Sequence, residues 1–216
     1  MDIARFEREL PALFDDFPRS PEPRGRRFDD VLEAVPGLAC ENNLALVNLA
    51  ASLVPPGESY VEVGSFRGTS LISALRGNES VDAVAVDDFS FRDGSREVLE
   101  ENLARFGLTG RPTILEGDFQ EVLAGEALRD RRVGVYYYDA GHTYEQQLAG
   151  LRLIEPHLAD QALLIVDDSD WERVDRADRD YLGSQPRARL LFEIPGDEHG
   201  LPHWWKGVHV IAWNAS

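Results

Sequence analysis

The chain has 216 residues, 43% of them hydrophobic, which suits one domain with a sizeable core. Its 22 basic and 39 acidic residues give a net charge of −17, a field that repels phosphate backbones and excludes bulk nucleic acid as a partner. A lone cysteine, Cys40, excludes a disulfide framework and a thiolate metal site and reads as a small packed hydrophobe.

The first eight residues carry charges where a signal peptide needs an apolar core. The longest apolar stretch, Leu44 to Val54, is broken by Asn48 and Ser52 and is too short to span a bilayer. The expectation is a soluble cytoplasmic protein with no membrane partner. Ile3, Phe6, Leu10, Leu13, Phe14 and Phe17 fall at helical spacing, with Pro11 placed to kink or restart the helix. Residues 18–27 (PRSPEPRGRR) read as a mobile linker. A second helix is expected from Glu41 to Leu53, stopped by Pro55-Pro56-Gly57. Residues 1–57 thus form an expected helical cover, and 58–216 the main domain.

From Tyr60 onward strands and helices alternate. Strands are expected at 60–63, 83–86, 113–115, 133–138, 163–166, 189–194 and 207–213. Val98, Leu99, Leu103 and Phe106 mark one helix, with Gly107 as its stop, and Tyr144 to Leu158 another, with Thr143 the best-placed cap. This alternation predicts an α/β fold, a doubly wound, mostly parallel seven-stranded sheet of the Rossmann-like type. The last two strands lack a helix between them and are expected as an antiparallel hairpin.

In open α/β sheets ligands bind outside the carboxyl ends of the strands. The first strand runs into Glu62-Val-Gly64-Ser65-Phe-Arg-Gly68, where glycines permit a tight turn and close backbone approach. The G-x-x-x-G spacing is neither the dinucleotide fingerprint nor a P-loop, and Glu62 suits a ligand's ammonium better than a pyrophosphate. The second strand ends in Asp87-Asp88, about 20 residues on, where a carboxylate can take both ribose hydroxyls; Asp87, directly after the strand, is preferred over Asp88. The third ends in Glu116-Gly-Asp118-Phe119, a carboxylate for an exocyclic amine and a ring for packing. Partners for an ammonium, a ribose and an adenine at three successive strand ends describe S-adenosylmethionine. Taken alone, the glycine motif would be only a turn.

The fourth and fifth strands end in Asp139-Ala-Gly-His142 and Asp167-Asp168. Three carboxylates converging in a partly dry cleft repel one another unless a cation neutralises them, and an all-oxygen set suits Mg²⁺. Such a cation, held by Asp139, Asp167 and Asp168, would lower the pKa of an acceptor hydroxyl. His142 would remove its proton. Each residue has a duller explanation: a helix cap for Asp139, a surface loop for His142, an acidic solvated run ending at Asp180 for the pair.

With these motifs assembled, the sequence resembles a class I S-adenosylmethionine-dependent methyltransferase over roughly residues 41 to 215. It is most similar to the metal-dependent O-methyltransferases of macrolide sugars and related natural products. The resemblance rests on Glu62-x-Gly-x-x-x-Gly68, Asp139-x-x-His142-x-Tyr144 and Asp167-Asp168. It implies that the glycine loop, with Glu62, Gly64, Ser65 and Gly68, binds the methionine moiety. It also implies that Asp87, Asp118, Phe119 and Asp139 complete the cofactor site, that the three aspartates hold Mg²⁺, and that His142 is the general base. Ala140, where the family commonly has glycine, and Asp160-Gln161, in place of a Gly-Gly turn, depart from the pattern. The long N-terminal domain of the macrolide sugar enzymes is not expected in this chain. The implied partner is a small-molecule hydroxyl acceptor, a sugar or other natural product. Oligomeric state is left open, a homodimer being one form. The alternatives are a Mg²⁺-dependent hydrolase and a non-catalytic S-adenosylmethionine-binding module. Trp204 and Trp205, in the loop between the last two strands, suit an acceptor wall or packing under that loop equally; His157 and His209 look structural.

Overall fold

Short apolar runs rich in valine, tyrosine and leucine pair into one sheet in the computed structural model, which describes residues 1–25 and 27–214. The strands are β1 (Ser59–Val63), β2 (Asp82–Asp87), β3 (Pro112–Glu116), β4 (Val133–Tyr138), β5 (Leu158–Asp167), β6 (Ala188–Ile194) and β7 (Val208–Asn214). Their order across the sheet is β3-β2-β1-β4-β5-β7-β6. The first five strands are parallel, and β7 runs antiparallel to both β5 and β6. The doubly wound sheet and the terminal hairpin expected from the sequence are both present.

Strand alternation sends successive side chains to opposite faces. Tyr60, Val135, Tyr137, Leu163 and Ile165 face one core, shared with α1 (Ile3–Ala12), α2 (Asp29–Ala34), α3 (Glu41–Ser52), α4 (Thr69–Leu75) and α5 (Arg96–Arg105). Val61, Val63, Tyr136, Tyr138, Leu164 and Val166 face the other, under α6 (Phe119–Ala124), α7 (Tyr144–Ile154) and α8 (Glu172–Ser184). Pro11 sits inside α1 near its end, and Thr143 caps α7 in a reciprocal capping box with Gln146.

One expectation changes and two open readings are decided. The segment after α1 is tied down, not a mobile linker. Ser20 is buried, Ser20 N–H donates to Asp16 O, and Arg24 N–H donates to Leu13 O; Arg26 lies outside the described residues. Trp204 is no acceptor wall. It is fully buried, its ring lies 5.3 Å from Phe14, and its Nε1 donates to Pro18 O at 2.6 Å. The acidic run before Asp180 is a helix, α8, whose buried Val174, Ala177, Asp178 and Tyr181 form one stripe at helical spacing among charged neighbours.

Candidate active site at the carboxyl edge of the sheet

Gly64 follows β1 at φ +91°, and a Cβ built on it would stand 1.7 Å from the backbone oxygen of Asp139. The glycine is thus required by the chain crossing from β4, which bonds Asp139 N–H to Val63 O at 2.9 Å. Gly68, also at φ +91°, opens α4, and a Cβ there would meet the Leu99 side chain. Ser65 is buried, and its Oγ has no hydrogen-bond partner among the described residues. A buried hydroxyl without a partner costs about 1–3 kcal/mol unless something else meets it.

Glu62 lies beneath this loop, fully buried. Tyr60 OH donates to its Oε2 at 2.6 Å and Ser70 Oγ to its Oε1 at 2.9 Å. Burial pushes its carboxyl up to about 7 against the lowering effect of those two donors. Its oxygens are engaged by the protein itself, so the expected free carboxylate facing a ligand's ammonium is not what the fold presents. Asp87 is half-buried at the end of β2 and accepts Phe66 N–H at 2.7 Å and Phe89 N–H at 2.6 Å. Burial raises its pKa. Asp88 is exposed and accepts Ser90 N–H. Asp118 is exposed and caps α6, one oxygen taking Gln120 N–H and Glu121 N–H, while Phe119 packs edge-on to Tyr138 at 5.5 Å in the core. Asp118 and Phe119, expected to hold adenine, thus have structural partners here.

Across the crevice, His142 Nε2 lies 3.0 Å from Asp168 Oδ2 and 3.7 Å from Asp139 Oδ1. Burial opposes the imidazolium, but the hydrogen bonds and charges of Asp139 and Asp168 outweigh it and carry His142 up to about 9. Asp139 is raised, by burial first and then by repulsion from Asp168, against the pull of His142. Trp171 holds the imidazole edge-on at 4.8 Å, and Tyr138 OH donates to Gly141 O, bracing the loop that carries it. No motif in the sequence marks either aromatic for this role.

Asp167, expected as the third carboxylate ligand, does not join this group. Strand alternation turns it to the face of Leu163 and Ile165, where Tyr137 OH and Asn43 Nδ2 donate to it. Burial and the neighbouring Asp139 and Asp168 push its pKa well up. Asp168, the first residue past the strand, takes φ +58° and lies on the other side, against His142. The groups that converge are therefore Asp139, His142 and Asp168, their ligand atoms within 4.8 Å of one another. Asp168 Oδ1, the oxygen turned away from His142, is buried and lacks a hydrogen-bond partner among the described residues. A buried carboxylate oxygen without a donor, beside the second carboxylate of Asp139, fits a cation.

A methyltransferase-domain family profile matches residues 61–169, which is 109 of the 216 residues and runs from the glycine loop through the aspartate pair. The chain belongs to the methyltransferase-domain family. The fold of this methyltransferase-domain protein recurs in solved structures. Cofactor-bound Rv0187 from MTB is 19% identical, with 87% of this chain and 91% of that one covered and a TM-score of 0.65. An O-methyltransferase from Bacillus cereus in complex with SAH is 14% identical, with 97% of each chain covered and a TM-score of 0.63. A methyltransferase from Geobacter sulfurreducens is 18% identical, with 99% and 97% covered and a TM-score of 0.60. Among curated proteins none matches. No helix among the described residues is long and apolar enough to cross a membrane.

Proposed function

We propose that this protein is an S-adenosylmethionine-dependent O-methyltransferase that uses a divalent cation, Mg²⁺ in the first instance, to methylate a hydroxyl of a small molecule such as a sugar or other natural product. The observation that carries the reading is the convergence of Asp139, His142 and Asp168 beside a glycine loop whose Ser65 hydroxyl is buried without a partner. The O-methyltransferase likeness of the fold supports it. Ser65 and the backbone from Gly64 to Gly68 would hold the methionine end of the cofactor, and Asp87 the ribose. Asp139 and Asp168 would hold the cation. When bound, these groups supply an electrophilic methyl and Lewis acidity toward the acceptor oxygen.

The chain's own residues do the remainder. At neutral pH the two carboxylates keep a proton on His142, so the ring is an acid until their charge is neutralised. Thereafter Nε2 is free to accept the acceptor's hydroxyl proton as the C–O bond forms. Trp171 and the capped start of α7 fix the ring while it does so.

The test is transfer of a labelled methyl group from S-adenosylmethionine to a panel of hydroxylated sugars and phenols. Activity should vanish in excess chelator, return with Mg²⁺, and fall about 10²-fold in His142→Gln with cation affinity retained. Full activity in chelator would remove the cation from the mechanism. Loss of cation affinity in His142→Gln would make the histidine a ligand and not the base.

A further inference from the structure

A second group of metal-ligating side chains lies away from that crevice, where α8 crosses the β6–β7 hairpin. Glu193 and His209 are partners across the hairpin ladder, and Asp175 reaches them from α8. One ligand atom from each lies within 4.8 Å of the other two.

Acidic clusters are common on a chain this negative, but here a buried imidazole is aimed into the cluster. His209 is 2% exposed. Its Nδ1 lies 2.8 Å from Asp178 Oδ2, and the other oxygen of that fully buried carboxylate takes the Gln147 side-chain amide at 2.7 Å. With Asp178 accepting at Nδ1, the neutral ring carries its proton there and turns a lone pair outward from Nε2. The atom that Nε2 faces is Asp175 Oδ1, 3.8 Å away. That is too long for a hydrogen bond. It is close to the separation of about 3.4 Å that two ligands hold on a tetrahedral ion with bonds near 2.1 Å. A buried carboxylate orienting a histidine whose second nitrogen faces further carboxylates is the usual support of a metal-bound imidazole.

Arg179 supplies the positive charge in the ion-free protein. Its Nε lies 2.8 Å from Asp175 and its NH2 2.8 Å from Glu193. The side chain is half-exposed, so it can swing out and leave both carboxylates to an incoming ion.

We propose that His209, Asp175 and Glu193 form a second divalent-cation site. Its single nitrogen and two carboxylate ligands favour a borderline ion such as Zn²⁺ or Co²⁺ over Mg²⁺. Asp178 orients the histidine, and the fourth position is left to water. The ion clamps α8, which begins just after Asp168, onto the hairpin at the sheet edge. The site stands independently of the proposed methyl transfer.

The experiment titrates the full-length chain with Co²⁺ and Zn²⁺ by calorimetry and by the visible absorption of Co²⁺. It uses an Asp139→Asn/Asp168→Asn background so that the crevice does not contribute. One equivalent of Co²⁺ should bind, with the intense bands of a tetrahedral site, and Zn²⁺ should raise the melting temperature. Glu193→Gln should weaken binding at least tenfold. Arg179→Ala should strengthen it several-fold by removing the competing cation, an effect opposite in sign to the loss of a merely structural ion pair. Absence of binding in the background protein, or affinity indifferent to both substitutions, would overturn the proposal.

Discussion

The backbone oxygen of Asp139 occupies the place where a side chain on Gly64 would begin, 1.7 Å from its Cβ position. The first glycine of the loop is thus locked to the first acidic residue of the opposite wall, and the two halves of the crevice are built on one close backbone approach. Gly64→Ala must shift β4 and strain a backbone at φ +91°. The expected cost is on the order of 3 kcal/mol in urea unfolding, with cofactor binding lost as a consequence. A variant as stable as the parent would show that the glycine serves only the ligand.

Cation binding at Asp139 and Asp168 should release protons. His142 is carried from 6.5 to about 9 by those carboxylates, so near pH 7 the ion-free protein holds a proton that the bound ion expels. Calorimetry in buffers of different ionisation enthalpy should report close to one proton released per ion at pH 7.5 and fewer above pH 9. Without the ion, the raised imidazolium stabilises the fold in full below pH 6.5 and ceases to as pH rises through about 9. Relative to His142→Gln, that contribution should be on the order of 2 kcal/mol after allowance for partial solvent screening.

Asp167 is expected to behave as a fold residue, in contrast to its neighbour. Tyr137→Phe removes a donor to a buried carboxylate and should cost about 1–3 kcal/mol of stability, with cation affinity little changed. Asp168→Asn should do the reverse, because asparagine tolerates the positive φ at that position while losing the charge. Equal loss of cation affinity in both variants would return Asp167 to the ligand set.

Glu62 should make the fold less stable as pH rises. Its carboxyl is pushed from 4.5 to about 7, so the native state binds more protons than the unfolded chain between those values. The contribution is complete below pH 4.5 and gone above about 7. Glu62→Gln should flatten that part of the stability profile and raise stability at pH 8 relative to the parent, measured as the difference between the two proteins. An unchanged profile would mean that the carboxylate is solvated.

The sequence by itself determined the sheet. Seven apolar runs, a glycine-rich turn after the first and a hairpin at the end follow from periodicity and turn chemistry, which are local. It also placed Asp87, Asp139, His142 and Asp168 at strand ends, since chain direction alone sets which edge a strand end occupies. What it left undecided was where each side chain points. Asp167 and Asp168 are adjacent and chemically identical, yet alternation sends one to Tyr137 and Asn43 while the other, past the strand at a positive φ, lies against His142. Glu62 reads as a ligand carboxylate until Tyr60 and Ser70 are seen to occupy it. Trp204 suits an acceptor wall and packing under its loop equally until α1 and the segment after it are seen to cover it. In each case the deciding partner lies on another element, and only the packed fold brings the two together.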